Sequence, residues 1–329
     1  MEHTKQNRVL SILFRALRGE DLLVRHLASE YHTSAKSITR DINDIKAFFA
    51  DNRELVGSAE LSYSHQTKAY HLYLDDFLSS KELLSLIKVI IGARAFSKME
   101  VLELVNKLKH FTSTEDRTLL DTLIRNELFY YTEVKHDCES VQDTLWQLAH
   151  CIHVQKEISV DYFRIDRAVV THRLRPASVM FVDYYFYLIA FPVEGDLEKP
   201  LYFRVDRIRH ITIHRKQSNA YETPLFNEGE LRQRSLFMWP GKLRTIRFEF
   251  TGPSIQAVLD KLPTAKIIEI KVGKQIVEAE VYGDGIKMWL LSQGKWITVL
   301  EPSEFVNELK EELNLMLKNY KSDSSDEGG

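Results

Sequence analysis

Apolar residues near the start of the chain recur with helical spacing. Val9, Ile12, Leu13, Ala16 and Leu17 fall at i, i+3, i+4, i+7 and i+8, the stripe of an amphipathic helix. A short element from Val24 to Tyr31 turns Leu27 and Ala28 inward, and the link His32-Thr33 follows. Ser34 stands where a helix N-cap is needed. In the helix it opens, Ile38, Ile42, Ile45 and Phe49 repeat at i, i+4, i+7 and i+11, and the opposite face carries Lys36, Ser37, Arg40 and Asn43. The period then changes. Leu61, Tyr63, Tyr70, Leu72 and Leu74 alternate with polar residues, predicting a half-buried hairpin with its tip at Ser64-His65-Gln66-Thr67-Lys68. Helices followed by a small hairpin give the plan of a winged helix-turn-helix over residues 1–76.

Residues 77–156 return to helical spacing with little Gly and no Pro. Ser79 with Glu82, Ser97 with Glu100 and Thr112 with Glu115 have the form of capping boxes. The segment reads as a helical linker that joins the first domain to the rest and contributes to dimerisation. Residues 157–216 turn to strand-like runs: Ile158–Tyr162, Val169–Leu174, Val179–Val182, Phe186–Phe191, Leu201–Val205 and Ile208–Ile213. Breaks are expected at Pro176, at Pro192 to Asp196 and at Pro200, and strands this short suit a small barrel. Residues 217–243 read as a connection. Over 244–320 the order is strand (Ile246–Phe250), helix after Pro253, strands Lys266–Lys271 and Ile276–Val281, helix Ile286–Leu291, strand Trp296–Leu300 and a closing helix Ser303–Tyr320. The sequence β-α-β-β-α-β predicts a ferredoxin-like sandwich. The acidic, Ser-rich tail 321–329 is expected to be disordered. The whole is an α+β multidomain chain.

Composition adjusts this picture in three places. A net charge of −3 counts mildly against a nucleic-acid binder, but the basic residues are clustered. Tyr162 to Arg175 holds four Arg against Asp166, and Tyr202 to Lys216 holds five basic residues against Asp206. No apolar run is long enough to span a bilayer, the first residues lack a secretory signal, and Cys138 and Cys151 form neither a CxxC pair nor a disulfide framework, so the cytoplasm and no membrane partner are expected. Both cysteines, set in a stretch read as helical, are expected to be buried small hydrophobes. No HExxH, G-x-S-x-G or GxxxxGK[ST] is present, and His65 and His71 lack partners at zinc-ligand spacing. No catalytic residue, metal or cofactor is expected.

Two constellations carry chemistry. Lys36, Ser37, Thr39 and Arg40 lie on the first turns of a helix that could enter a major groove, Ser34 and its neighbouring amides could cradle a phosphate, and Lys68 at the hairpin tip could meet the backbone. The same residues also suit a solvated face of an ordinary helical domain. The second constellation is Arg164, Arg167, Arg173, Arg175, Arg204 and Arg207 among Tyr162 and His172, a set able to hold phosphates and stack bases. Alternation puts Arg173 and Arg175 on one face and His172 on the other. Arg–Asp pairs bracing a barrel would give the same pattern. The aromatic run Tyr184-Tyr185-Phe186-Tyr187 reads mostly as β core.

Tyr31 to Ile42, with Ser37, Thr39 and Arg40-Asp41, resembles the recognition region of DeoR-type helix-turn-helix regulators. The central block resembles a WYL domain. Its Trp-Tyr-Leu triplet stands here as Phe186-Tyr187-Leu188, and its companion motif as Phe203-Arg204-Val205-Asp206-Arg207-Ile208. Tyr162 and Pro176 also fit, and Phe248-Glu249-Phe250, Trp289-Leu290-Leu291 and Val299-Leu300-Glu301-Pro302 are similar to the WYL C-terminal extension. The resemblance implies a dimeric WYL-domain transcriptional regulator with an Sm-like or SH3-like barrel sensing a nucleic acid or nucleotide. It implies Tyr162, His172, Arg173, Tyr187, Arg204 and Arg207 as ligand residues, the second and third by neighbourhood only. Phe186 departs from the pattern and lacks the indole N–H donor of Trp.

The leading expectation is therefore a homodimer that reads a palindromic double-stranded operator and answers to a single-stranded nucleic acid or nucleotide effector. The alternative is a nucleic-acid-sensing adaptor in phage defence or DNA repair, binding single strands and docking a protein. A hydrolase or transferase would need a metal or nucleophile constellation that the sequence does not offer.

Overall fold

The computed structural model describes residues 4–73, 78–112, 114–194, 200–214 and 227–321. The chain divides into two compact units, Met1–Lys135 and His136–Gly329.

The first unit opens with α1 (Lys5–Leu17), α2 (Val24–Glu30), α3 (Ala35–Asp51) and the single turn α4 (Arg53–Val56), followed by the hairpin β1 (Glu60–Ser64) and β2 (Ala69–Tyr73). Ser34 caps α3, its hydroxyl accepting from the Ser37 amide at 3.1 Å. The predicted stripe Ile38, Ile42, Ile45 and Phe49 is buried against Ile12, Ala16, Leu27 and Leu61. Each such side chain contributes roughly 1.5–3 kcal/mol on burial. An ion pair joins α1 to α3, Arg8 Nε to Asp41 Oδ2 at 2.5 Å. The hairpin is fastened too. Leu22, between α1 and α2, exchanges two backbone hydrogen bonds with Tyr70, at 3.0 and 3.1 Å.

Helices α5 (Ser80–Ala93), α6 (Lys98–Lys109) and α7 (Thr114–Phe129) complete this unit. The Ser79–Glu82 and Ser97–Glu100 boxes both form, with side chains and backbones bonded reciprocally. Glu115 of the third expected box lies outside the described side chains, and the Thr112 hydroxyl donates instead to the Lys109 carbonyl at 2.9 Å. Ile87, Ile91, Val101, Val105, Leu120 and Ile124 form the core of the three helices.

The second unit begins with α8 (Val141–His153), then β3 (Ile158–Phe163), β4 (Val169–Val182), β5 (Tyr185–Pro192), β6 (Leu201–Arg204), a 3-10 turn at Val205–Arg207 and β7 (Ile208–Ile213). These strands form one antiparallel sheet in the order β6-β5-β4-β3-β7, and the 3-10 turn links its two edges. Next come α9 (Glu228–Arg234), β8 (Leu243–Phe250), α10 (Ile255–Lys261), β9 (Lys266–Lys271), β10 (Lys274–Tyr282), α11 (Gly285–Ser292), β11 (Ile297–Glu301) and α12 (Ser303–Lys321). The four later strands are antiparallel in the order β11-β8-β10-β9. Ile246, Phe248 and Phe250 alternate inward onto Val258, Trp289, Leu290 and Phe305 of the helices.

Between the sheets, Met180 and Ile189 from the outer face of β4 and β5 pack with Leu231 and Met238, joined by Tyr187, Tyr202 and Tyr282. The strap around residues 235–242 reaches this cluster by crossing the turn Gly283-Asp284-Gly285 at very short range. A Cβ on Gly283 would stand 1.9 Å from the Trp239 carbonyl oxygen, and one on Gly285 1.9 Å from that of Leu236. Gly283 also takes φ +81°, a conformation costly for other residues.

Four expectations change. Helix α8, placed with the linker on its helical period, contributes Leu148 and Cys151 to the five-stranded core beside Ile158, Val160 and Leu174. Pro176 does not end a strand. It lies inside β4 opposite Ala190, next to a register shift before Ser178, the kind of bulge that tolerates a missing N–H. The connection contains α9. Cys151 is buried, whereas Cys138 is half-buried in a bend rather than a helix. Leu74 of the expected hairpin and the tail 322–329 lie outside the described residues.

Candidate nucleic-acid interface and ligand site

At the start of α3 the sequence-predicted residues fall into two kinds. Ser34 and Ser37 serve the cap, their hydroxyl oxygens 2.9 Å apart. Thr39 donates its hydroxyl to the Ala35 carbonyl at 3.0 Å, keeping one lone-pair side free to accept. Lys36 and Arg40 are exposed, and neither has a carboxylate within 4 Å among the described residues. Beneath them Asp41 is 1% exposed and occupied by Arg8. The helix is thus held by its buried side while two cations stand clear. Lys68 is exposed at the hairpin tip in the left-handed region, φ 56°. Behind it Thr67 and His71 lie 2.6 Å apart, and His71 Nδ1 reaches Asp21 at 2.8 Å. His71 thus ties the hairpin to the α1–α2 link.

In the five-stranded domain the six predicted ligand residues do not form one cluster. Tyr162 and His172 gather around Phe203, with ring centroids 5.1 Å from it in each case. The Tyr162 hydroxyl accepts from the Arg204 amide at 3.3 Å. Burial, followed by the charge of Arg164, holds the His172 imidazole below the usual histidine range. Tyr187 and Arg204 are cross-strand partners on the other face. Burial pushes the Tyr187 hydroxyl up to about 12, so it stays a neutral donor. Arg204 grips Asp206 with two donors, Nε at 3.0 Å and Nη2 at 2.6 Å, and its guanidinium lies 3.4 Å over the Tyr185 ring. Its Nη1 makes no hydrogen bond among the described residues. Arg173 stands apart, half-exposed and paired with Glu157 at 3.0 Å. Arg207 is half-buried in the 3-10 turn, and its guanidinium has no ion pair among the described residues.

The aromatic run divides by alternation rather than forming a common core. Phe186 packs on the inner core while Tyr185 and Tyr187 face outward. Tyr185 was therefore not visible as a partner of Arg204, although strand period could have separated it from Phe186. Nothing in the sequence pointed to Arg8 as the partner of Asp41, or to His136, which lies 3.8 Å from Asp206. Among the described residues no group of three or more His, Cys, Asp and Glu is placed to hold a metal ion, and no helix is long and apolar enough to cross a membrane.

Residues 143–213, which span α8 to β7, match the family model of the WYL domain. The chain carries a WYL domain. The match begins inside α8, in keeping with the place of that helix in the core of the sheet. No curated protein matches the chain. Among solved structures it is similar to the proteasome accessory factor B/C (PafBC) of Arthrobacter aurescens, with 14% identity, a TM-score of 0.29, and coverage of 96% of this chain and 48% of that one. The chain therefore spans about half the length of PafBC. It is also similar to a CRISPR Cas-related protein, with 13% identity, a TM-score of 0.39 and coverage of 97% and 93%. A third likeness, to the metal-dependent transcriptional regulator MtsR, has 13% identity, a TM-score of 0.14 and coverage of 65% and 100%.

Proposed function

We propose that this chain is a DNA-binding transcriptional regulator, not an enzyme, in which the WYL domain senses an anionic ligand of nucleic-acid or nucleotide type. The first domain is read as a DeoR-type winged helix-turn-helix, with α3 in the major groove and the β1–β2 hairpin as its wing. The five-stranded sheet is read as an Sm- or SH3-like barrel and the four-stranded sheet with its helices as a ferredoxin-like C-terminal extension. Two copies would read half-sites of a palindrome about one helical turn apart, ~34–36 Å.

The observation that carries this reading is the contrast at α3. Lys36 and Arg40 are cationic and exposed on the first turns, while Ile38, Asp41, Ile42 and Ile45 anchor the helix from below. A helix held so firmly with unpaired donors on its outer face suits base-edge contact. For the ligand, support comes from Nη1 of Arg204 and the neutral hydroxyl of its cross-strand partner Tyr187, which offer donors to an anion, and separately from the guanidinium of Arg207.

Selection of genomic duplex fragments by the purified protein tests the reading. An enriched inverted repeat is expected. On that duplex Arg40→Ala should lose ~1–3 kcal/mol and relax specificity, while Lys68→Ala should weaken binding across sequences and lower the salt slope by about one. Unchanged binding by both variants would refute the assignment of α3 and the hairpin. Tight single-strand binding without duplex enrichment would favour the adaptor reading.

A further inference from the structure

Strand β9 is an edge of the four-stranded sheet. One side pairs with β10, and no described strand lies on the other. Every residue of β9 is exposed, whereas β11 at the opposite edge is half-buried at Ile297 and Val299. An edge strand offers its free N–H and C=O groups as a template for another strand, and charged side chains or a covering element normally prevent this. On one face β9 has neither. Ile270 stands opposite Gln275, which stands opposite the inward-turning Phe250. Ile270 therefore lies on the helix-bearing face of the sheet, yet it is 73% exposed, and Val272 in the turn that follows is wholly exposed. Ile268, 49% exposed, has no partner on β10, where the register shifts. The opposite face carries Glu269 and Lys271, paired with each other at 2.9 Å and each half-exposed.

We propose that β9 is a homodimer surface, on which the β9 of a second copy lies antiparallel so that Ile270 opposes itself across a twofold axis. An axis normal to the sheet keeps each face on its own side, so side chains that point the same way meet. About Ile270, Glu269 then opposes Lys271 of the partner subunit, and Ile268 opposes Val272 of the partner subunit. Each carboxylate lies between two ammonium groups, one on its own strand and one across the axis. Neighbouring registers lose this match. An axis at Glu269 sets two carboxylates face to face, one at Lys271 sets two ammonium groups so, and one at Ile268 sets Glu269 against an isoleucine. Exposed ion pairs contribute little free energy, so the apolar row and the ladder hydrogen bonds hold the strands together while the charges choose the register. The same edge serves both copies, so the contact closes at two and does not propagate. It gives the two-copy reading above a surface, and only its bearing on half-sites rests on that reading.

Thiol trapping in the full chain tests the pairing without DNA. Directly opposed residues have Cα atoms ~4.5–5.5 Å apart, within disulfide reach. Residues 272 of the two copies would stand four positions apart, ~13–14 Å, beyond it. Under mild oxidation Ile270→Cys should give a covalent dimer at least tenfold above the wild type, which controls for Cys138 and Cys151. Val272→Cys, although more exposed, should stay at the wild-type level. Adding Glu269→Lys to Ile270→Cys should cut trapping about tenfold, and adding Lys271→Glu as well should restore it. No trapping through Ile270→Cys, equal trapping through Val272→Cys, indifference to Glu269→Lys or failure of the double exchange to restore would each overturn the proposal. Light scattering separates this from the function proposed above. A wild type that is dimeric but not trapped at 270 would keep the two-copy reading and remove β9 from it. A trapped pair that enriches no duplex would keep β9 and refute the DNA reading.

Discussion

Asp41, 1% exposed, holds Arg8 at 2.5 Å, while Arg40 beside it reaches into solvent with no carboxylate within 4 Å among the described residues. Removing one partner of a buried pair leaves the other charge uncompensated, a cost of ~3–5 kcal/mol in a dry interior, and near the lower figure here because the Arg8 side chain keeps 13% exposure. Asp41→Ala should therefore lower the unfolding free energy by about 3 kcal/mol. Arg40→Ala should leave it within about 0.5 kcal/mol, as surface changes do, and under the proposed function its effect falls on DNA binding instead. Chemical denaturation of the two variants side by side checks this. Equal effects on stability would show that burial does not separate the roles of these neighbours. Both residues belong to one motif in sequence, and the motif alone did not divide them. Periodicity did put Ile38 and Ile42 on the buried face, and Asp41, between them, follows from the same helical wheel. The ion pair with Arg8 does not, because it needs α1 brought alongside.

Among the elements, those written locally were the most legible. Helices α1 and α3, the Ser79 and Ser97 boxes and the β8-to-α12 order follow from periods of 3.6 and 2 and from caps within four residues of their targets. What the sequence did not contain was assignment over distance. Helix α8 has the same local pattern as a linker helix, and only the tertiary packing of Leu148 and Cys151 gives it to the sheet. Strand order gave no local sign, so neither the pairing of Tyr187 with Arg204 nor the stack on Tyr185 could be read. The candidate site was accordingly legible as a list of residue types and not as two separate faces. Glycine offers a test at this scale. Gly92 in α5 has nothing within 4 Å of a would-be Cβ, and Gly92→Ala should raise stability by ~0.5–1 kcal/mol through helix propensity. Gly285→Ala should lower it by ~1–3 kcal/mol or more, since the Leu236 backbone must move. Thermal unfolding of the pair decides, and a harmless Gly285→Ala would mean that the strap around 235–242 yields freely.

For the whole molecule, the proposed function requires that the two units influence each other. If a short single-stranded oligonucleotide binds the WYL domain and changes duplex affinity by some factor, the duplex must change oligonucleotide affinity by the same factor. Fluorescence anisotropy with each labelled in turn measures both. Arg207→Ala should weaken the oligonucleotide about tenfold, the value of one charge-assisted hydrogen bond at ~1.5 kcal/mol. An unchanged oligonucleotide affinity would remove Arg207 from the site.

The cluster around Met180 and Ile189 changes what the WYL domain is as a piece of protein. The family match stops at residue 213, yet the outer face of β4 and β5 is covered by Leu231, Met238 and Tyr282 from beyond it. The stretch that matches the family model is therefore not the stretch that buries its own surface. A chain cut at residue 213 would bare Met180, Ile189 and Tyr187 to water as an apolar patch. Transplanting this domain into another protein would mean carrying the strap with it, along with the glycine turn on which the strap lies.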